Sequence, residues 1–159
     1  MDLRIARFVH MFLNGILAGI GVGIAATETA NLKLDGSSYP RVEQHKHTIV
    51  IPLTLTLFFP CVFVGSYVAW RTRRQNKDVT ALTVSSVVCI TITFLLSIII
   101  NAPINRAQRD EWDVNNPPKD WKQIRDKWNI SHVVRSIFAL VSLACNVLAW
   151  QKAGSIRTR

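Results

Sequence analysis

The chain has 159 residues, of which 49% are hydrophobic and 18% charged, and its formal net charge is +9. This length suffices for one domain and excludes two large ones. The charges lie in short segments between long uncharged stretches, so the basic residues flank apolar runs. This distribution argues against nucleic-acid binding and for contact with a lipid bilayer. Three cysteines, Cys61, Cys89 and Cys145, lie inside apolar stretches and are interpreted as buried or lipid-facing thiols.

The first apolar stretch covers residues 8–27 and is long enough for a membrane helix, which takes about 20 residues. It is longer than the apolar core of a signal peptide, and we interpret it as a retained helix. Gly15, Gly19 and Gly23 form a stripe along it, and such stripes let two membrane helices approach closely. We expect internal packing from this stripe, with homo-oligomerisation as the alternative. His10 is interpreted as an interfacial residue.

Three further stretches of similar length cover residues 48–70, 79–101 and 131–150. The third span is rich in Val, Ile and Thr, but its unbroken length favours a helix over a strand. Polar loops are predicted over residues 28–47 and 102–130, with a short basic loop over residues 71–78. The sequence therefore predicts an all-α fold, with residues 1–159 forming one four-helix transmembrane bundle of a multi-pass membrane protein.

Four spans place both termini on the same side of the membrane. The lysine and arginine counts of the two sides are level, but the second connection is the most densely basic segment, with Arg71, Arg73, Arg74 and Lys77. Because basic residues near spans favour the cytoplasmic side, we predict that both termini are cytoplasmic. The alternation also brings the ends of the first and third spans together with the starts of the second and fourth.

The end opposite the termini gathers the unusual polar residues. Trp128, His132 and Arg135 share one face of the fourth helix. An arginine inside the membrane is costly unless it is paired or reaches water, and we expect Glu28 to be its acidic partner, with Asn101 or Asn105 as further acceptors. The arrangement has two interpretations that the residues leave open. One is a structural Arg–Glu pair, and the other is an anion or oxyanion clamp at the mouth of a pocket.

Two other features of this end have a structural and a functional interpretation. Pro103 is expected to interrupt the third helix, so that Asn101 and Asn105 either satisfy loose backbone groups or hold a polar ligand. His45 and His47 are weak candidates for metal ligands, which His132 and Glu28 would complete. A solvated loop is the default for the His45-x-His47 segment, and the sequence implies no known cofactor.

The combination of Asn101-Ala102-Pro103-Ile104-Asn105 with Trp128-Asn129-Ile130-Ser131-His132-Val133-Val134-Arg135 resembles the anthrone oxygenase-like family of small four-helix membrane proteins. The resemblance is sharpest over residues 98–150. The spacing of Asn129 from His132 departs from the family pattern, which affects the alignment of Asn129 more than that of His132 or Arg135.

This resemblance implies oxidation of an anthrone-type or related phenolic substrate, a hydrophobic aromatic small molecule, by molecular oxygen. Under it, His132 is the expected base, Arg135 with Asn101 or Asn105 stabilises the oxyanion, and Trp128 and Glu28 contact substrate. The alternative is a non-enzymatic membrane scaffold or small channel-like oligomer, in which Arg135 and Glu28 are structural.

Overall fold

The computed structural model describes residues 1–113 and 115–155 of the chain, and within them the fold is a bundle of long helices. Helix α1 covers Leu3–Asn31, α2 covers Ser38–Thr72 and α3 covers Lys77–Leu96. A π-helical turn, Ser97–Asn101, joins α3 to the short helix α4, Ala102–Asp110. Helix α5 covers Trp121–Ser155. The all-α prediction is confirmed, and no strand occurs among the described residues.

Four helices of the described chain are long and apolar enough to cross a membrane, in agreement with the predicted multi-pass bundle. They comprise α1, α2, the continuous rod from α3 through α4, and α5. Each long helix packs mainly on two neighbours, in the order α1, α2, α3, α5 around the bundle. The start of α1 and the end of α5 therefore lie at the same end of the bundle, and the cytoplasmic location of that end stays a prediction.

Local sequence explains where the helices begin. The Asp2 side chain accepts the backbone N–H groups of Arg4 and Ile5 at 2.7 and 3.3 Å and caps α1. The Asn76 side chain accepts the N–H of Val79 at 2.9 Å and caps α3. Before α2, Oδ1 of Asp35 accepts two backbone N–H groups of the helix start. These contacts satisfy donors that an uncapped helix end leaves without partners.

The helices extend further than the predicted spans. Residues 38–47 were expected in a polar loop and instead form the first turns of α2, while residues 102–110 and 121–130 are helical rather than loop. Outside the bilayer a helix does not need apolar residues, so hydropathy underestimates its length. Pro103 also fails to interrupt the rod, because it lies in the first turn of α4, where its missing N–H matters little, directly after the π turn.

The outer surface of the bundle is apolar, while polar side chains lie in the interior beside an apolar core. Phe63, Ile99 and Ile130 are each more than 65% exposed at the outer surface. In the interior, the amide of buried Asn14 donates to the hydroxyl groups of Ser86 and Ser142 at 3.0 and 2.7 Å. Hydrogen bonds and close packing hold helices together where lipid removes the hydrophobic drive. The distribution is therefore that of a membrane bundle.

Two interior expectations are wrong. His10 is not interfacial: it is wholly buried, its Nδ1 lies 3.1 Å from the Asn146 amide, and Gly65 leaves room for its ring. The stripe of Gly15, Gly19 and Gly23 does not pack the bundle along its length, since a Cβ added at Gly19 or Gly23 would meet no atom within 4 Å and one at Gly15 would only reach Leu143 at 4.0 Å. The close approach is at Gly21, where an added Cβ would lie 3.2 Å from the Ser136 hydroxyl oxygen of α5. The alternative prediction, homo-oligomerisation through the outward stripe, stays a prediction.

Candidate functional site

A cavity of about 370 Å³ lies between the long helices, toward the end opposite the termini. Its inner part is lined by apolar side chains that include Leu17, Phe58, Ile90, Phe94 and Ala139. At its other end the lining becomes polar, with Lys46, His47, Asn101, Asn105, Trp128, His132 and Arg135. A cavity of 300–1,000 Å³ with apolar walls and a few convergent polar groups is typical of a small-molecule site.

Arg135 is the cation at the centre of this polar end. Its Nε donates to Nδ1 of His132 at 2.8 Å, and its Nη1 donates to the Ser97 hydroxyl at 2.5 Å. Glu28 was expected as its partner, and that prediction is wrong, because Glu28 binds Lys46 instead. Among the described residues no carboxylate lies within 4 Å of the Arg135 guanidinium. Its charge is therefore held by neutral groups and is not neutralised by an acid.

His132 uses both of its ring nitrogens in this arrangement. A guanidinium can only donate, so Nδ1 must accept from Arg135 and carries no proton. Nε2 lies 3.1 Å from the backbone carbonyl of Gly21 and donates to it. The close approach of α1 and α5 at Gly21 therefore positions His132, which in turn orients the guanidinium of Arg135. The role of base predicted for His132 requires a lone pair that this geometry does not leave free.

Trp128 forms the wall beside these residues and is only 2% exposed. Its ring stacks on that of His132 with centroids 5.0 Å apart, and its indole N–H donates to Oδ1 of Asn105 at 2.6 Å. The Asn101 amide donates to the Trp128 carbonyl at 3.2 Å and accepts from the Ser131 hydroxyl at 3.0 Å. Thus both asparagines line the cavity while fixing the π turn and α4 to α5.

A second charged group, Lys46, lines the cavity on the side of α2. The Lys46 ammonium donates to both Glu28 and Glu43, and it lies 5.0 Å from the centre of the Trp128 ring. The Asn31 amide donates to Glu28 at 3.0 Å. Glu28 does not line the cavity, so the structure removes it from the predicted substrate contact. Glu28 is linked to the cavity through its ion pair with Lys46, which lines the cavity.

His47 is a cavity residue that the sequence did not single out for this role. It is only 7% exposed, and neither of its ring nitrogens has a hydrogen-bond partner among the described residues. Oε2 of Glu43, one helical turn earlier, lies 3.5 Å from Nε2. A buried polar group without a partner costs about 1–3 kcal/mol, which makes such groups candidates for function. The Glu43-x-x-x-His47 spacing was the available signal, but it indicates a pair only when residues 38–47 are helical.

The metal interpretation of His45 and His47 does not extend to a cluster. Because this segment is helical, residues two apart point to different sides, and His45 is exposed while His47 is buried. No group of three or more His, Cys, Asp or Glu side chains placed to hold a metal ion occurs within residues 1–113 and 115–155.

A family model described as anthrone oxygenase matches residues 45–145. The matched segment contains every polar cavity residue described above. It begins after Glu28 and Glu43, so the carboxylates that bind Lys46 lie outside it. Neither the curated proteins nor the solved structures contain a match to the chain.

Proposed function

The chain belongs to the anthrone oxygenase family, and from this we propose that it is a membrane-bound oxygenase-like enzyme. Its substrate would be an anthrone-type or related phenolic molecule, oxidised by molecular oxygen. The observation that carries the proposal is the Arg135 guanidinium, which has no carboxylate within 4 Å among the described residues and faces an apolar cavity of about 370 Å³. A flat aromatic ligand with one acidic oxygen matches this combination of apolar walls and one uncompensated positive charge.

The chemistry of an anthrone suits such a site. Removal of a proton from its methylene carbon breaks a C–H bond and sends the electron pair into the rings, which yields an aromatic oxyanion. This anion is oxidised by molecular oxygen, a C–O bond forms at the former methylene carbon, and loss of water leaves the second carbonyl. One substrate and one O₂ therefore give one quinone and one water. The step that a protein must assist is formation of the anion.

The residues have corresponding roles in this proposal. Arg135 stabilises the negative oxygen, as preorganised donors do where charge develops in a transition state. His132 and Ser97 hold the guanidinium in place through the contacts at 2.8 and 2.5 Å. Trp128 provides an aromatic wall, and Asn105 orients its indole. Asn101 serves chiefly to fix the wall, because its amide oxygen and nitrogen both bond to α5.

The test is oxygen consumption by the purified protein in detergent or lipid, with a panel of anthrones and related phenols. We expect one O₂ consumed per quinone formed, and a rate at least 100-fold lower for Arg135→Gln, since removal of one oxyanion donor costs about 10²–10³ in rate. Arg106→Gln is the matched control, because Arg106 is exposed outside the cavity. The proposal is wrong if the native protein does not exceed the uncatalysed rate with any member of the panel, or if Arg135→Gln is as active as Arg106→Gln.

The scaffold or channel-like alternative predicts a different interior. A scaffold requires only a filled core, and a channel requires a polar pore along the bundle or along an oligomer axis. The mainly apolar lining of the cavity favours the binding of an aromatic molecule over either of these roles.

A further inference from the structure

We propose that His47, oriented by Glu43, is the base that removes the proton from the methylene carbon of the substrate. This inference rests on the proposed function and adds the missing proton acceptor to it. The carrying observation is that His47 lines the cavity, is almost fully buried and has no hydrogen-bond partner on either ring nitrogen among the described residues.

The other titratable residues that line the cavity already use their polar atoms in hydrogen bonds or ion pairs. Arg135 is a cation and can only donate hydrogen bonds. Lys46 is bound by the carboxylates of Glu28 and Glu43. His132 accepts from Arg135 with Nδ1 and donates to the Gly21 carbonyl with Nε2. Of the titratable side chains that the structure describes around the cavity, His47 is thus the one with a lone pair that no hydrogen bond occupies.

Glu43 gives His47 the partner that a histidine base needs. Its Oε2 has no hydrogen-bond partner among the described residues and lies 3.5 Å from Nε2 of His47, while its Oε1 accepts from Lys46 at 2.6 Å. A base is most effective when a third group orients it and stabilises the charge it acquires. In the proposed arrangement Nε2 carries the proton and turns it toward Glu43, which leaves the lone pair on Nδ1. Glu43 is accordingly a positioning residue, and His47 is the catalytic one.

His47 and Arg135 both lie close to the Trp128 ring. The His47 ring lies 6.4 Å from the Trp128 ring on the α2 side, and the Arg135 guanidinium lies 5.7 Å from the centre of the same ring. Because both residues line the same cavity beside Trp128, a tricyclic substrate bound against this ring would present its oxygen to Arg135 and its methylene carbon to His47. In the proposed step the C–H bond breaks, an N–H bond forms on Nδ1, and the electron pair moves through the rings to the oxygen beside Arg135.

The test separates proton removal from oxidation. Anthrone deuterated at the methylene carbon is incubated with the purified protein without oxygen, and enzyme-dependent loss of deuterium to water is followed by mass spectrometry. We expect His47→Gln to slow this exchange about 100-fold or more, because a positioned base contributes about 10²–10⁴ in rate. His45→Gln is the matched control, since His45 is exposed two residues earlier on the same helix. Its exchange rate should stay within twofold of the native rate.

Two further measurements guard against simple loss of structure. Binding of the anthraquinone product should be unchanged in His47→Gln, and added imidazole should restore exchange in His47→Ala. Glu43→Gln should lower kcat with little change in KM, and Glu43→Asp should recover part of the loss. If the native protein accelerates exchange but His47→Gln does so equally, the role of His47 is refuted and the proposed function stands. If the native protein accelerates neither exchange nor oxygen uptake, both proposals fail.

Discussion

Replacement of Gly65 by alanine is expected to destabilise the bundle through close contacts of α2 with one residue of α1 and one of α3. A Cβ at position 65 would lie 2.5 Å from Nε2 of His10, 2.8 Å from its Cε1 and 2.6 Å from Cγ2 of Val87. Ordinary contacts between such atoms are about 3.5–4 Å. The His10 ring is wholly buried and lies 3.1 Å from the Asn146 amide, so it has no solvent to move into.

Two opposing contributions determine how much Gly65→Ala changes the free energy of unfolding. Inserting a methyl group into a packed interior costs about 1–3 kcal/mol, through displaced side chains and backbone shifts. Alanine in a helix interior also gains up to about 1 kcal/mol over glycine. At Gly19, where an added Cβ would meet nothing within 4 Å, only the gain remains. The helix-propensity gain is common to both variants and cancels, so we expect Gly65→Ala to be less stable than Gly19→Ala by about 1–3 kcal/mol, the cost of inserting the methyl group.

The assay is unfolding of the monomeric protein in mixed micelles of rising denaturing-detergent content, followed by helical circular dichroism. Adding His10→Ala to Gly65→Ala removes two of the three close contacts, so the double variant should lose less stability than the two single changes predict together. Equal stability of Gly65→Ala and Gly19→Ala would refute the reasoning, since it would mean that the His10 ring does not lie against Gly65.

Three further predictions test other parts of the structure. Asn105→Ala should cost about 1–3 kcal/mol by leaving the buried indole N–H of Trp128 without its acceptor, and unfolding should show that adding Trp128→Phe recovers most of this loss. Gly21→Ala should lower turnover more than stability, because its Cβ would lie 3.2 Å from the Ser136 hydroxyl oxygen and would displace the carbonyl that holds His132; oxygen uptake measured beside thermal unfolding separates the two effects. Hydrogen bonds from Ser38 and Ser37 lower the pKa of Asp35 to about 2. The stability that this carboxylate contributes is therefore present above its unfolded pKa of about 4 and is lost as the pH falls toward about 2. Asp35→Asn should remove this pH dependence from a series of unfolding curves.

Much of the fold could be predicted from the lengths of the uncharged stretches of the sequence alone. Each span had to form a helix because a bilayer leaves no partner for a free backbone group, so four long stretches predicted four helices. The same alternation brought Asn101, Asn105, Trp128, His132 and Arg135 to one end of the bundle, where they do line one cavity. This prediction required only the chain direction of each helix, which the number of spans fixes.

Several of the wrong predictions depended on how a helix is rotated about its axis, and others on where a helix begins or ends. The choice between Lys46 and Arg135 as the partner of Glu28 is decided by which faces of α1, α2 and α5 meet, and hydropathy carries no such information. For the same reason the sequence did not indicate which glycines pack inward, and Gly21 rather than Gly19 approaches α5. His47 became a cavity residue only once residues 38–47 were seen to be helical.

The distribution of charge around Trp128 supports the direction of the proposed proton transfer. On the α2 side, the two carboxyl groups of Glu28 and Glu43 share the ammonium group of Lys46. On the α5 side, Arg135 is a cation without a carboxylate within 4 Å in the described chain. Moving a proton from the substrate to His47 places positive charge beside the carboxylates and leaves negative charge beside the guanidinium. Under this proposal the positive charge would form 3.5 Å from Oε2 of Glu43, and the negative charge would form beside Arg135, where a preorganised donor lowers the cost of an anion in an apolar cavity.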